Sequence, residues 1–306
     1  MRVAALAGGL GGSRFARALA ETIGPTNLTV VGNVGDDVEV FGLHVSPDLD
    51  TILYTLAGVL DEERGWGRSS ETWNVLATAS ELGADAWFRL GDRDLGLHLV
   101  RTEALRAGEP LSAVTARLTR ALGVEVTLLP ATNDRLRTWV ETPIGKLPFQ
   151  EWFVRRQHRD EVHGVRFERA DRARPAPGVL EALAEADLVA IAPSNPFVSI
   201  GPILAVAEIR AALERRRVPA VAVSPLIGGR TVRGPADRML ARLAGGTGPA
   251  QVTSCYEGLI DALVIDEADA DEPAPIRTIV TRTLMRDAAS RRRLAEAVVE
   301  TAVALR

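Results

Sequence analysis

Residues 3–14 read VAALAGGLGGSR, and this stretch decides the fold class. An apolar run from Val3 to Ala7 ends in glycines, and Ser13 to Thr22 then has helical spacing with apolar residues on one face. A second β-branched run follows from Leu28 to Val34. A strand, a glycine-rich turn, a helix and another strand are typical of the start of a doubly wound sheet. We therefore predict an α/β fold with a mostly parallel, Rossmann-like sheet.

The rest of the chain fits one such sheet with an insertion. Residues from about 51 to 122 have mostly helical periodicity, which predicts a helical insertion after the second strand. Further predicted strands include Phe149–Arg155, Asp187–Ala192, Ala220–Ser224, Ala262–Ile265 and Ile276–Thr281. Because strands and helices alternate toward both ends, we expect a single domain over residues 1–306 with a mainly helical insert at about 51–122.

Composition and charge exclude several classes of protein. The 306 residues are 46% hydrophobic and 25% charged, which is ordinary for a globular protein, and the net charge of −4 argues against nucleic-acid binding. The apolar start is too short and glycine-rich to span a membrane and lacks a signal-peptide pattern. A single cysteine, Cys255, excludes an intrachain disulfide and fits the cytoplasm. Lys146 is the only lysine, so a phosphate site must use arginine, backbone N–H groups or a metal.

The glycine turn is the first candidate site. Glycines let backbone N–H groups approach a phosphate, and the helix that follows favours an anion, so Gly9, Gly11, Gly12 and Ser13 are candidate nucleotide-binding residues. The dinucleotide fingerprint is incomplete, because its third glycine is replaced by Arg14 and no acidic residue directly ends the second strand. A tight turn without a ligand is the alternative.

Four carboxylates form the second candidate site. Asp36 and Asp37 directly follow the second strand, and Asp48 and Asp50 come shortly after. At ~4 Å and an effective dielectric constant near 20, each close pair of carboxylates costs about 4 kcal/mol, so solvent, arginine or a divalent cation must compensate. Mg²⁺ held by one or two carboxylates and substrate phosphates is the usual arrangement. Alternatively, Asp36 and Asp48 only stabilise a turn and a helix start.

Loops after later strands supply further candidates. The polar residues Asn33, Ser194 and Asn195 and the glycines Gly228 and Gly229 follow predicted strands, so they would meet at the same edge of the sheet and bind a nucleotide. The segment Trp87–Phe88–Arg89 combines aromatic rings with a cation and could hold a planar ring system. Turn formation and core packing are the alternatives for these segments.

These residues resemble the 2-phospho-L-lactate transferase family (CofD, called FbiA in actinobacteria) of coenzyme F-420 biosynthesis. The resemblance runs from end to end and is carried, in the family's order, by GGLGGSRF (8–15), NVGDD (33–37), SPDLDT (46–51), DEERGWG (61–67), WFRLGDRDL (87–95), FQEWFVR (149–155), APSNPFVSIGPIL (192–204) and SPLIGGRTVRGPADRML (224–240).

The resemblance implies a magnesium-dependent transferase. Its donor would be guanosine diphosphate linked to phospholactate or phosphoenolpyruvate, its acceptor the hydroxyl of the deazaflavin 7,8-didemethyl-8-hydroxy-5-deazariboflavin, and its leaving group GMP. By motif, Asp50 and Arg89 would contact the deazaflavin, and Asp36 and Asp50 would bind the metal. Asp50 or Asp37 would orient or deprotonate the acceptor hydroxyl. The resemblance also implies a cytoplasmic homodimer.

A second interpretation is a regulatory protein that binds a nucleotide or nucleotide sugar, since the CofD-like superfamily also contains such proteins. The segments SPDLDT (46–51) and WFRLGDRDL (87–95) favour the transferase, because they suit a deazaflavin acceptor. A nicotinamide-dependent dehydrogenase is disfavoured by the incomplete fingerprint.

Overall fold

A computed structural model describes residues 1–306 of the chain. Its strands are, in chain order, β1 (Val3–Ala7), β2 (Leu28–Gly32), β3 (Val38–Val40), β4 (Leu43–Val45), β5 (Thr127–Pro130), β6 (Arg137–Thr142), β7 (Gly145–Pro148), β8 (Gly164–Glu168), β9 (Leu188–Ile191), β10 (Ala220–Val223), β11 (Leu226–Ile227), β12 (Arg230–Thr231), β13 (Ala262–Asp266) and β14 (Arg277–Thr281).

The α-helices lie mostly between strands of the main sheet. They are α1 (Gly9–Ile23), α2 (Pro47–Leu56), α3 (Asn74–Glu81), α4 (Asp92–Arg106), α5 (Leu111–Ala121), α6 (Val179–Glu185), α7 (Gly201–Leu204), α8 (Ala207–Glu214), α9 (Ala236–Leu243), α10 (Pro249–Cys255) and α11 (Ala288–Ala304). Two π-helical segments, Glu151–Arg155 and Pro196–Ile200, and two short 3-10 segments, Pro25–Asn27 and Glu267–Asp269, complete the regular structure.

Seven parallel strands form the main sheet, in the order β14-β13-β10-β9-β1-β2-β5. The strand order runs outward in both directions from the junction of β1 and β9, which is the Rossmann arrangement. The predicted α/β, doubly wound fold class is therefore confirmed. The order reverses between β1 and β9, so a crevice opens there beyond the carboxyl ends of the strands.

Both faces of this sheet are covered by helices. In β1, Val3, Ala5 and Ala7 belong to a cluster of 34 buried apolar residues, whereas Ala4 and Leu6 belong to a second cluster of 28. The first cluster includes side chains from α1, α2, α5 and α11, and the second includes side chains from α6, α8, α9 and α10. This alternation explains why β1 reads as a continuous apolar run, because a strand buried on both faces needs no polar residue.

The segment from α2 to α5 lies between β4 and β5, so four helices occupy the region in which the sequence predicts a helical insert. Three antiparallel strands, β7, β6 and β8, form a separate small sheet after β5.

The prediction of a strand over Phe149–Arg155 is wrong, because residues 151–155 are π-helical. The aromatic content of this segment is typical of strands. However, Phe149 and Phe153 stack with ring centroids 5.2 Å apart, and side chains four residues apart meet on a helix rather than on a strand.

Candidate functional site

A cleft of about 820 Å³ lies at the switch point of the sheet. The turn after β1 and the loop after β9 both line it. Its other walls come from the start of α2, the segments around residues 65–66, 87–89 and 149–158, and the loops after β10 and β14. Among the predicted site residues, the cleft is lined by Gly9, Gly11, Asp36, Arg89, Ser194 and Asn195.

The turn after β1 presents backbone to the cleft. Gly8, Gly9, Leu10 and Gly11 line the cleft, and Gly8, the residue before α1, has no side chain to cap the helix. The N–H of Gly9 donates to the Asp48 carboxylate, so the N–H groups of Leu10 and Gly11 are the ones left for a ligand. Gly9 has a φ of 65°, in the left-handed region that favours glycine, and a Cβ on Gly11 would lie 2.7 Å from the carbonyl oxygen of Pro193. Free backbone N–H groups at a helix start attract anions, so the turn suits a phosphate.

A pair of buried carboxylates, Asp36 and Asp48, lies beside this turn and lines the cleft. The side-chain amide of Asn33 donates to Asp36 Oδ1 at 2.8 Å and to Asp48 Oδ2 at 2.9 Å. Asp48 Oδ1 also accepts the N–H of Gly9 at 2.8 Å, and the amide of Gln150 donates to the Asp36 carbonyl at 3.1 Å. Asn33 is fully buried, so it orients the two carboxylates rather than contacting a nucleotide as predicted.

No cation offsets the charge of this pair in a direct contact. Burial, with the neighbouring Asp48 and Asp37 charges, raises the pKa of Asp36 well above its usual range. Burial also raises the pKa of Asp48 to about 6, although hydrogen bonds from Asn33 and Gly9 oppose the rise. Two hard oxygen ligands with uncompensated charge fit a divalent cation such as Mg²⁺. The structure contains no cluster of three or more acidic, histidine or cysteine ligands, so substrate and water would complete the coordination.

Asp37 turns away from the cleft, although it was predicted to be catalytic. Its Oδ2 accepts the hydroxyl of Ser46 at 2.9 Å and lies 2.8 Å from Nε2 of His44. The other oxygen is buried without a hydrogen-bond partner. The side chain therefore lies behind the acid pair, where its charge raises the pKa of Asp36.

Asp50 also lies outside the cleft, although the sequence placed it in the metal, deazaflavin and catalytic sites. Its carboxylate forms a buried, two-pronged ion pair with the guanidinium of Arg101 on α4, in which Nη1 donates to Oδ2 at 2.9 Å and Nη2 donates to Oδ1. Nδ1 of His98 lies 3.8 Å from the same carboxylate. In this structure Asp48, two residues earlier, takes the position beside Asp36 that was predicted for Asp50.

Ser13 and Gly12 pack inside the protein rather than lining the cleft. The Ser13 hydroxyl donates to the carbonyl of Leu10 at 2.9 Å and lies 2.9 Å from the hydroxyl of Thr55, which attaches α1 to α2. A Cβ on Gly12 would lie 2.6 Å from Oγ of Ser194, so this glycine permits close packing against the loop after β9. The structure does not support a phosphate contact from either residue.

Ser194 and Asn195 line the cleft and also fix its loops. The Ser194 hydroxyl donates to the Gly8 carbonyl at 2.7 Å, which joins the loop after β9 to the turn after β1. Oδ1 of Asn195 accepts the N–H groups of Phe197 and Val198 at 2.9 and 3.4 Å, and thereby begins the helical segment Pro196–Ile200. Both residues remain candidates for nucleotide contact.

Gly228 and Gly229 do not present N–H groups to the cleft as predicted. With φ values of 57° and 70°, they form the two-residue turn of the β11–β12 hairpin, which requires the left-handed conformation at both positions. Their N–H groups donate to the carboxylate of Asp269 at 3.0 and 2.8 Å. The following residues, Thr231 to Ala236, line the cleft instead.

Arg89 lines the cleft as predicted from the sequence. Its guanidinium lies 4.6 Å from the centroid of the Trp73 ring, a cation–π contact that orients the side chain. Arg64 lies over the same ring at 5.3 Å and over Trp66 at 5.5 Å.

Four aromatic side chains line the cleft near Arg89, and we call them the aromatic wall: Trp87, Phe88, Phe149 and Phe153. Phe149 and Phe153 stack with their planes 17° apart, whereas Trp87 and Phe88 meet edge to face at 89°. An ion pair of 2.9 Å between Arg155 and Asp85 ties the two halves together. The sequence indicated Trp87 and Phe88, but Phe149 and Phe153 were missed because their segment was predicted to be a strand.

No single helix is long and apolar enough to cross a membrane, and the one helix pair that passes on combined length and composition, Pro196–Leu204 with Ala207–Glu214, is bent by 90°.

Solved structures share this fold. A crystal structure of a UPF0052-family protein from Bacillus halodurans superposes with a TM-score of 0.63 and 18% identity, covering 97% of this chain and 98% of that one. At this identity the likeness concerns the fold alone.

Curated relatives are much more similar. A phosphoenolpyruvate transferase of Kitasatospora aureofaciens is 47% identical, covering 90% of this chain and 88% of the relative. The phosphoenolpyruvate transferase of Streptomyces griseus subsp. griseus is 43% identical over 100% of both chains. That of Mycolicibacterium smegmatis is 39% identical, with 94% of each chain covered.

The family model of the 2-phospho-L-lactate transferase CofD matches residues 3–302. The match spans nearly the whole chain, and its segments include the glycine turn, the acid pair and the aromatic wall. The chain therefore belongs to the CofD 2-phospho-L-lactate transferase family and is a transferase of coenzyme F-420 biosynthesis.

Proposed function

We propose that this chain transfers a phosphorylated three-carbon acid from its guanosine diphosphate conjugate to the hydroxyl of 7,8-didemethyl-8-hydroxy-5-deazariboflavin, with release of GMP. The observation that carries the proposal is the arrangement of one cleft, in which a glycine turn at a helix start, a buried acid pair and an aromatic wall occur together. These features suit a diphosphate, a cation and a tricyclic ring respectively.

In this proposal the donor's diphosphate binds at the turn after β1. The first residues of α1 line the cleft there, and the hydroxyl of Ser194 fixes the turn through the Gly8 carbonyl. Backbone dipoles at a helix start stabilise phosphate charge without a lysine, which this chain almost entirely lacks.

Asp36 and Asp48 would hold Mg²⁺. The ion would supply charge neutralisation for the donor phosphates. Asn33 keeps the two carboxylates side by side through its two short hydrogen bonds, so the ligands are positioned before the ion binds. The residues assigned here replace the sequence-based pair Asp36 and Asp50.

The acceptor ring would lie against the aromatic wall, with Arg89 at its polar edge. Flat aromatic rings stack favourably on such side chains, and Phe149 and Phe153 are already nearly parallel. The oxygen of the acceptor hydroxyl would then form a bond to the phosphorus that carries the acid and lose its proton to solvent, and the bond between that phosphorus and the oxygen bridging to GMP would break, so that GMP leaves. Such transfers depend on positioning and charge stabilisation, so no covalent protein intermediate is needed.

Phosphoenolpyruvyl is the acid that we favour over 2-phospholactyl. The relatives from Kitasatospora, Streptomyces and Mycolicibacterium, at 39–47% identity, are named phosphoenolpyruvate transferases. The test is to incubate the protein with the deazaflavin, Mg²⁺ and either guanosine conjugate, and to identify the product by mass. We expect the phosphoenolpyruvyl product to form faster than the 2-phospholactyl product. No product from either conjugate would refute the proposed reaction, and faster formation of the lactyl product would reverse the choice of acid.

A homodimer in the cytoplasm stays a prediction from the family resemblance. Light scattering at micromolar concentration would give the mass in solution, and a mass near 32.8 kDa, that of one chain, would contradict the dimer.

A further inference from the structure

Three arginines line the cleft, and they differ in what they contact. Arg14 forms an ion pair of 2.7 Å with Glu62, and Arg89 lies over the ring of Trp73. Arg233 has no acidic partner. Its guanidinium donates to two backbone carbonyl oxygens, that of Arg64 at 2.6 Å and that of Glu63 at 3.0 Å.

These two hydrogen bonds join two segments that line the cleft. Glu63 and Arg64 belong to the loop of residues 61–67, between α2 and α3, which we call the strap. Arg233 follows the β11–β12 hairpin. Both segments line the cleft, through Gly65 and Trp66 on one side and Thr231 to Ala236 on the other.

Gly65 brings Arg233 next to the glycine turn. Gly65 has a φ of 76°, and a Cβ placed on it would lie 2.1 Å from Nη1 of Arg233 and 2.8 Å from Cδ2 of Leu10. Because Leu10 belongs to the turn after β1, the Arg233 guanidinium and the Leu10 side chain approach the same point beside Gly65, and both residues line the cleft.

We propose that Arg233 binds the donor's diphosphate, and that it leaves the carbonyl oxygens of the strap to do so. The inference rests on the proposed function, because it requires a donor that carries a diphosphate. A carbonyl oxygen is a neutral acceptor, whereas a phosphate offers two charged oxygens to the planar guanidinium, and such charge-assisted bonds are roughly twice as strong. Arg233 would thus exchange neutral partners for a charged one, whereas Arg14 would have to leave the carboxylate of Glu62. Arg89 also has a neutral partner, the ring of Trp73, but it is the arginine assigned to the acceptor ring.

Release of Arg233 would free the strap on donor binding. Backbone hydrogen bonds within the strap, from Gly65 to the Asp61 carbonyl at 2.8 Å and from Asp61 to the Gly67 carbonyl at 3.1 Å, would then exchange with solvent more readily. Trp66 lies in the same loop and lines the cleft, with 38% of its surface exposed, so the strap forms a partly exposed portion of the cleft wall.

The affinity test compares Arg233→Ala and Arg233→Lys with Arg230→Ala. Arg230 belongs to the same hairpin but is exposed and does not line the cleft, so it is the matched control. Calorimetry with GDP and with guanosine should show that Arg233→Ala weakens GDP binding by about 10- to 100-fold and guanosine binding by less than about twofold. Lys should recover part of the loss, and Arg230→Ala should bind as the wild type does.

Two results would overturn the inference. If Arg233→Ala, with an unchanged circular dichroism spectrum, binds GDP as the wild type does, or loses GDP and guanosine affinity equally, Arg233 does not bind the diphosphate. If hydrogen exchange of peptide 61–67 slows when GDP binds to the wild type, the arginine does not leave the strap; we expect faster exchange. Product formation by the wild type tests the proposed function separately, so an active enzyme whose Arg233→Ala variant keeps its GDP affinity would refute this inference alone.

Discussion

Asp50 and Arg101 form a buried ion pair in which both carboxylate oxygens accept hydrogen bonds from the guanidinium. Arg101 is 1% exposed and Asp50 is 4% exposed. Both helices are close in sequence to site residues: Asp48 lies in the first turn of α2, and Arg89 lies three residues before the start of α4. The ion pair therefore holds the helix that carries Asp48 against the helix that follows Arg89.

Removal of Arg101 alone should be strongly destabilising. Arg101→Met leaves the Asp50 carboxylate buried without its partner, and we expect the free energy of unfolding in urea to fall by about 3–5 kcal/mol. The double variant Asp50→Asn with Arg101→Met has no unpaired charge and should recover most of that loss. A single variant within about 1 kcal/mol of the wild type would contradict the buried pair.

Asp36→Asn should stabilise the protein while it inactivates the enzyme. The change removes one charge from a buried pair and retains an oxygen that can accept from Asn33. At pH 8 without metal, we expect the free energy of unfolding to rise by about 1–2 kcal/mol, because burial and like charges disfavour the ionised form. Turnover should fall by more than about 100-fold, since a catalytic cation supplies several kcal/mol of stabilisation.

Urea unfolding and product formation, measured on the same samples, test whether Asp36→Asn raises the stability and lowers the turnover together. Glu39→Gln is the control, because Glu39 is an exposed acidic residue three positions away. Wild-type turnover in the Asp36→Asn variant would remove Asp36 from the site.

The stability of the metal-free protein should depend on the ionisation of Asp48. Its pKa is raised in the folded state to about 6, so its contribution is complete below the unfolded pKa, near 4, and is lost as the pH rises through 6. From about pH 4 to pH 7 this loss is on the order of 3 kcal/mol. The difference in unfolding free energy between the wild type and Asp48→Asn isolates it from other titrating groups.

As the pH rises, the free energy of unfolding of the wild type should fall relative to that of Asp48→Asn. At pH 8, Mg²⁺ should stabilise the wild type more than the variant. A pH-independent difference would show that Asp48 is not buried as the structure places it.

The sequence predicted the sheet well because its central strands carry a local signal. The run Val3–Ala7 is apolar at every position, and Leu28–Val31 is apolar or β-branched at every position, as is typical of strands covered on both faces. The loops that follow such strands must meet at one edge, so the glycine turn, Asp36 and the Ser194–Asn195 loop could be assigned to one cleft before the structure was known.

The position of a residue after a strand could not show whether Asp48 or Asp50 lies beside Asp36 in the cleft. The two residues lie on the first turns of α2, and positions two apart on a helix point about 200° away from each other, so only one of them can face the cleft. Which one does so depends on Arg101, 51 residues later in the chain. The outcome for Gly228 and Gly229 could have been predicted from the sequence. Two consecutive glycines between short runs are a local signal for a hairpin turn, which is the role they have in the structure.

The glycine turn gives the last prediction, which concerns Gly11. An added Cβ would lie 2.7 Å from the carbonyl oxygen of Pro193, and backbone on both sides leaves little room for adjustment. We expect Gly11→Ala to lower the free energy of unfolding by about 1–3 kcal/mol, as overpacking does, and to weaken GDP binding because the turn and the loop after β9 must separate. Gly96→Ala is the matched control: Gly96 is exposed within α4, a Cβ there meets nothing within 4 Å, and alanine should stabilise the helix by about 0.5–1 kcal/mol. Thermal unfolding and GDP calorimetry of the two variants make the comparison, and a Gly11→Ala protein as stable as Gly96→Ala with unaltered GDP affinity would mean that the loop after β9 does not pack against this turn.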